Sequence, residues 1–165
     1  MVKEVLTMVK DALEDSSYGV NVFLTASSTP LIKSIGTEVD NDEVAMGNPS
    51  KPYPSLSVVL NEPLQLVGEV DTFYRDGIDM AIAISYMGRN VDISTGNTEM
   101  WATMRAIQKC MKRFLSNDNC ADRELDGIQI IASTGMEVLP NTSGPEDVLI
   151  PGGLIIRFRT RDIQP

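Results

Sequence analysis

At 165 residues, with 42% hydrophobic and 22% charged residues, the chain has the composition of a folded protein rather than a disordered one, and its length predicts a single domain over 1–165. Its 23 acidic against 14 basic residues give a net charge of −9, a surface that repels polyphosphate and disfavours nonspecific nucleic-acid binding. No histidine occurs, so Ser-His-Asp and Cys-His nucleophilic arrangements cannot be built, and the commonest general base and zinc ligand is missing.

Cys110 and Cys120 are the only cysteines and form no C-x-x-C pair, which points to two reduced thiols in a cytosolic setting rather than a zinc site or disulfide framework. The start, Met1-Val2-Lys3-Glu4-Val5-Leu6, lacks the apolar stretch of a secretory signal, and no apolar run reaches the length of a membrane span.

In chain order, Val2, Val5, Leu6, Val9 and Leu13 recur at three- and four-residue steps and predict an N-terminal helix ending near Glu14-Asp15. Gly19 to Leu24 alternates and reads as a short strand. Thr25 to Ser55 then turns polar and is broken by Pro30, Gly36, Gly47, Pro49, Pro52 and Pro54, which predicts a long polar arm at about 25–55, anchored by Leu31, Ile32 and Ile35. Leu56, Val58 and Leu60 alternate up to Glu62-Pro63, a strand. Leu64 to Tyr74 follows as a second alternating run, with Asp76-Gly77 closing a hairpin. Ile78 to Met87 sets Ile78, Met80, Ile82, Ile84 and Tyr86 on one face.

Gly88 to Gly96 reads as a turn, with Asn97 as N-cap and Glu99 in the first turn of a helix running to Leu115. Its apolar stripe is Met100, Met104, Ile107, Met111, Phe114 and Leu115, while Arg105, Gln108, Lys109 and Lys112 point away. Ser116 to Gly127 is polar, Ile128 and Ile130 open a strand toward Val138, and Asn141 to Pro145 marks a turn. Leu154 to Arg161 is the last strand, with Leu154, Ile156 and Phe158 on one face and Arg157, Arg159 and Arg161 on the other. The whole predicts an α+β fold, a mixed, mainly antiparallel sheet with two principal helices packed on one face.

Few residues suggest chemistry. The acidic cluster Glu38, Asp40, Asp42 and Glu43 lacks the order of a calcium loop and reads as a solvated acidic arm, as does Asp118 to Asp122. Ser94-Thr95-Gly96-Asn97 would offer backbone N–H groups to an anion, but capping explains it better. Trp101 with Met100, Met104 and Met111 reads as core packing. A rival of a different class, a small ligand- or metal-binding enzyme domain, would use that stripe and the acidic arm as a pocket. No catalytic, cofactor-binding or metal-binding residue is assigned, and no cofactor is expected. The row Arg157, Arg159, Arg161 stands out, because three guanidiniums on one strand face need water or acidic partners, and a charged edge strand is the competing explanation.

The order helix, polar arm, Pro54-Ser55-Leu56-Ser57-Val58-Val59-Leu60, hairpin, Met80-Ala81-Ile82-Ala83-Ile84, helix Glu99 to Leu115, and closing strands ending Leu154-Ile155-Ile156-Arg157-Phe158 resembles the tail terminator (tail completion) proteins of long-tailed bacteriophages. Other phage neck or tube-like components share parts of this layout. The resemblance implies a structural virion protein, not an enzyme, made in the host cytoplasm and assembled as a hexameric ring. Such a ring caps the tail tube, ends its elongation and joins it to a head-side neck or stopper protein. Its partners would be further copies of itself, the tail tube protein and the neck, with DNA passing through unbound and no membrane involved. In such a ring Arg157, Arg159 and Arg161 would meet an acidic segment of the next copy, Glu69 and Asp71 or the arm around Asp40, and Glu38, Asp40, Asp42 and Glu43 are candidates for the arm or channel wall.

Overall fold

The computed structural model describes residues 2–37, 52–61, 65–67, 77–116, 123–129 and 148–161. The expected N-terminal helix is α1, Val2–Glu14, and Val5, Leu6, Val9 and Leu13 of its stripe are buried. Asp15 closes it, its Oδ1 accepting the backbone N–H groups of Ser17 and Tyr18 at 2.8 Å each.

The expected strand at 19–24 is instead a helix, α2, Val20–Ala26. Its alternation of Val20, Val22 and Leu24 coincides with a four-residue step from Val20 to Leu24, and the helix buries those two while leaving Val22 exposed. Asn21 ties the helix to the chain beyond it: its Nδ2 donates to the Ile32 carbonyl at 3.0 Å and its Oδ1 accepts the Ile32 N–H at 2.8 Å. The helix ends where Ser28 takes a positive φ of 54° and Thr29 N–H donates back to Leu24 O at 3.0 Å, the usual left-handed closure.

The polar arm is therefore partly ordered. After α2, β1 (Ser34–Thr37) pairs in parallel with β2 (Ser55–Leu60), and Lys33 N–H donates to Pro54 O at 2.9 Å at the start of that pairing. Ile32 is buried and Ile35 packs on the core, but Leu31, expected as an anchor, is exposed. Residues 38–51, with Glu38, Asp40, Asp42 and Glu43, lie outside the described residues.

β3 (Gln65–Val67) and β4 (Gly77–Asn90) form the expected antiparallel pair, while 68–76, with Glu69, Asp71 and Asp76, lie outside the described residues. β2 pairs with the later half of β4 and β3 with its beginning, so the two run in succession along one edge of β4. β6 (Val148–Arg161) takes the other edge over the full length of β4, and β5 (Arg123–Gln129) pairs with β6. The strand order is β1-β2-β4-β6-β5 with β3 beside β4, a mixed sheet whose pairs are antiparallel except β1–β2.

Two strands begin earlier than their composition suggests. β6 starts at Val148 and runs through Pro151-Gly152-Gly153, paired with β4 along its whole length, and among the described residues β5 joins it from Ile155 onward. β5 starts at Arg123, inside the stretch expected to be a polar turn, and a register shift between Leu125 and Gly127 absorbs one residue. Residues 130–147 lie outside the described residues, so the expected extension to Val138 and the turn at 141–145 are not described.

The core lies on one face of this sheet. Cross-strand rows run Val58–Ile84–Leu154 and Leu60–Ile82–Ile156–Ile128, and of these Val58, Ile82, Ile84, Leu154 and Ile156 are buried. Helix α3 (Ile93–Ser116) covers β4 and β6 with Met100, Met104, Ile107 and Met111, α1 covers β1 and β2, and α2 packs against α3, so all three helices contribute to one apolar cluster. The fold is α+β, with α1 and α3 as the principal helices on a single face of the sheet.

Candidate functional site

α3 begins at Ile93, seven residues before Met100, and Asp92 rather than Asn97 caps it. Asp92 Oδ2 accepts the Thr95 hydroxyl and the Thr95 N–H, and its Oδ1 accepts the Ser94 N–H. These bonds, with the Thr95 hydroxyl contributing most, hold the Asp92 carboxyl below its ordinary value of 3.8. Ser94-Thr95-Gly96, the stretch weighed as an anion cradle, is thus the first turn of the helix and is already supplied with a carboxylate. Gly96 is there for contact: a Cβ would lie 1.7 Å from Cδ1 of Ile150 on β6.

Because the folded-state pKa is depressed, the capping contribution is present above the ordinary pKa and is lost as pH falls through the folded value. Asp92→Ala is therefore expected to lower the melting temperature modestly at neutral pH. The gap from the parent should close as pH is taken well below 3.8. Parallel thermal scans at several pH values check this; a gap independent of pH would contradict the cap.

Asn97 sits one turn inside the helix, half-buried, and its Oδ1 has no hydrogen-bond partner. Glu99, expected in the first turn, instead accepts Asn90 Nδ2 from the end of β4 at 3.1 Å. It lies close enough to Tyr86 to reinforce the effect of burial on that phenol, which is pushed up to about 12 although a hydrogen bond with Thr103 pulls the other way. Tyr86 is consequently a neutral, packed hydroxyl. Cys110 donates to the Ala12 carbonyl at 3.3 Å, and burial, aided by Asp15, raises its thiol to about 12, so it ties α3 to α1 as an unreactive thiol. Among the described residues no group of three or more His, Cys, Asp or Glu is arranged to hold a metal ion, and no helix is long and apolar enough to cross a membrane.

Met100, Met104 and Met111 are core, as expected, but Trp101 is not: it is 40% exposed, about a quarter-turn around α3 from the methionines. The pocket that the rival enzyme reading required is therefore not assembled from these four residues. Trp101 heads an exposed stripe with Arg105, Lys109 and Lys112, while Arg113 turns aside to stack on the Tyr18 ring, 4.2 Å from its centroid.

The arginine row lies in β6, between β4 and β5, and not on an edge strand. Leu154 and Ile156 face the helices, and Arg157 is exposed on the other side. In register, Arg157 stands opposite Ala81 and Gly127, Arg159 opposite Asp79 and Glu124, and Arg161 opposite Gly77. Arg159 thus has an acidic residue at the facing position of each neighbouring strand, a juxtaposition that only the strand register reveals. Ser57, Ala81, Ala83 and Ser85 occupy the same face of β2 and β4, with Val59 and Ile155 at the positions flanking Ala83.

No protein-family model matches the chain, and no curated protein matches it. Among solved structures it is similar to a chain described as "Virion of native gene transfer agent (GTA) particle", with 13% sequence identity over 94% of each chain and a TM-score of 0.41. A likeness of that size leaves the role of this chain to be argued from its own residues.

Proposed function

We propose that the chain is a structural virion protein of the tail-terminator kind: a subunit of a hexameric ring that caps a phage tail tube, ends its elongation and joins it to the head-side neck. The observation that carries this reading is the one-sided layering. Every described helix packs on one face of the sheet, and on the other face Ser85 and Arg157 are exposed. In the ring, Arg157, Arg159 and Arg161 approach an acidic segment of the next subunit, Glu69 and Asp71 or the arm around Asp40, and the acidic balance keeps DNA from adhering as it passes. The tube protein and a neck protein are the ring's axial partners.

Solution mass tests the reading. Sedimentation of the purified protein over a concentration series is expected to reach six times the 18.1 kDa protomer, about 109 kDa. A monomer at every concentration would contradict it.

A further inference from the structure

The outer face of α3 is a basic surface on an acidic protein. At 100° per residue Thr98, Trp101, Arg105, Lys109 and Lys112 fall within an arc of about 80°, and all five are exposed. The helix carries Arg105, Lys109, Lys112 and Arg113 against the single acid Glu99, a balance of +3, so the rest of a chain of net −9 carries −12. Trp101 is the chain's one tryptophan, and Val91 and Ile93 add exposed apolar surface beside the start of the helix. An indole beside an arginine is a frequent arrangement at the centre of a protein interface.

We propose that this face docks on a second copy of the chain, with Arg105 and Lys109 meeting the exposed carboxylates Asp11 and Glu14 of α1 and Trp101 buried between the subunits. The inference rests on the ring reading and names a contact within it. Charge complementarity selects the occupant, since any second copy presents a surface dominated by acid. On the helix-covered side of the sheet α1 packs over β1 and β2, and α3 lies beside it over β4, β6 and β5. A head-to-tail contact needs two different patches on the subunit, and the outer face of α3 and the Asp11/Glu14 pair of α1 are different patches. Lys10, one residue before Asp11 and four before Glu14, is half-buried, while Asp11 and Glu14 are exposed.

The lone tryptophan makes assembly self-reporting. In a dilution series followed by sedimentation and fluorescence, Trp101 emission is expected to shift to the blue and lose accessibility to acrylamide as particles form. Arg105→Glu with Lys109→Glu should keep the parent's circular dichroism and weaken assembly by about tenfold or more. Asp11→Lys with Glu14→Lys should do the same, and the four changes together should restore assembly. Several results would overturn the proposal. If the Arg105/Lys109 variant assembles like the parent, or Trp101 stays fully quenchable in the particles, the α3 contact is wrong while the ring stands. If both double variants fail and the quadruple does not recover, the pairing with α1 is wrong. Tight binding of duplex DNA by the parent, lost in Arg105→Glu/Lys109→Glu, would assign the face to nucleic acid. A parent that never assembles removes the ring itself.

Discussion

Ile84→Ala is expected to cost about 4 kcal/mol and to lower the melting temperature by roughly 12 °C. Ile84 is fully buried at the middle of the row Val58–Ile84–Leu154, in the central strand β4, with the helix layer above it. Its neighbours are held by cross-strand pairing on both sides, so the site has little room to collapse, which puts the loss at the upper end of the range for such truncations. Ser85→Ala, one residue on and exposed on the other face, should stay within about 0.5 kcal/mol of the parent. Urea or thermal unfolding followed by circular dichroism measures both. A cost below about 1 kcal/mol for Ile84→Ala would mean that this row is not the centre of the core.

Gly19→Ala is expected to cost about 3 kcal/mol, a large effect for adding one methyl group. Gly19 has an ordinary φ of −70°, so left-handed backbone is not the reason. The reason is contact: a Cβ there would lie 2.3 Å from Asp15 O and 2.6 Å from Leu13 O, main-chain atoms at the corner between α1 and α2. Asp15 O cannot move away without stretching the bond it accepts from Gly19 N–H at 2.8 Å. Gly96→Ala is the informative contrast. Its Cβ meets the end of the Ile150 side chain rather than backbone, and about 1 kcal/mol of helix propensity offsets part of the clash. The loss at Gly19 should therefore exceed that at Gly96, by the same unfolding measurement, and the reverse order would show that the corner relaxes freely.

Long periodic segments were readable from the residues because burial and periodicity agree in them. Val5, Leu6, Val9 and Leu13 of α1, Leu56 and Val58 of β2, Ile82 and Ile84 of β4 and the methionine stripe of α3 all pack as their spacing predicts. The misreadings fall where local and tertiary signals part. At Val20 to Leu24 a seven-residue helix is too short to show its period, and what decides it is burial of Val20 and Leu24 together with the Asn21 clamp on Ile32. At Ser94 to Asn97 the residues look like a turn, yet Asp92 caps earlier and Gly96 buys close approach to Ile150. At Pro151 to Gly153 proline and glycine conceal a strand that the register with Ser85 to Met87 of β4 carries through. Of the interaction surface, the exposure of Arg157 followed from alternation. The acidic positions flanking Arg159 depend on a register between distant strands, which no local pattern encodes, and Trp101 was hidden by its adjacency to Met100, although at 100° per residue the two belong to different faces.

The central claim, that this is a ring-forming structural subunit, is tested most directly by an electron micrograph of the purified protein. Discrete rings of uniform diameter with an open centre are expected. A field of dispersed single subunits, at concentrations where sedimentation shows no larger species, would contradict it.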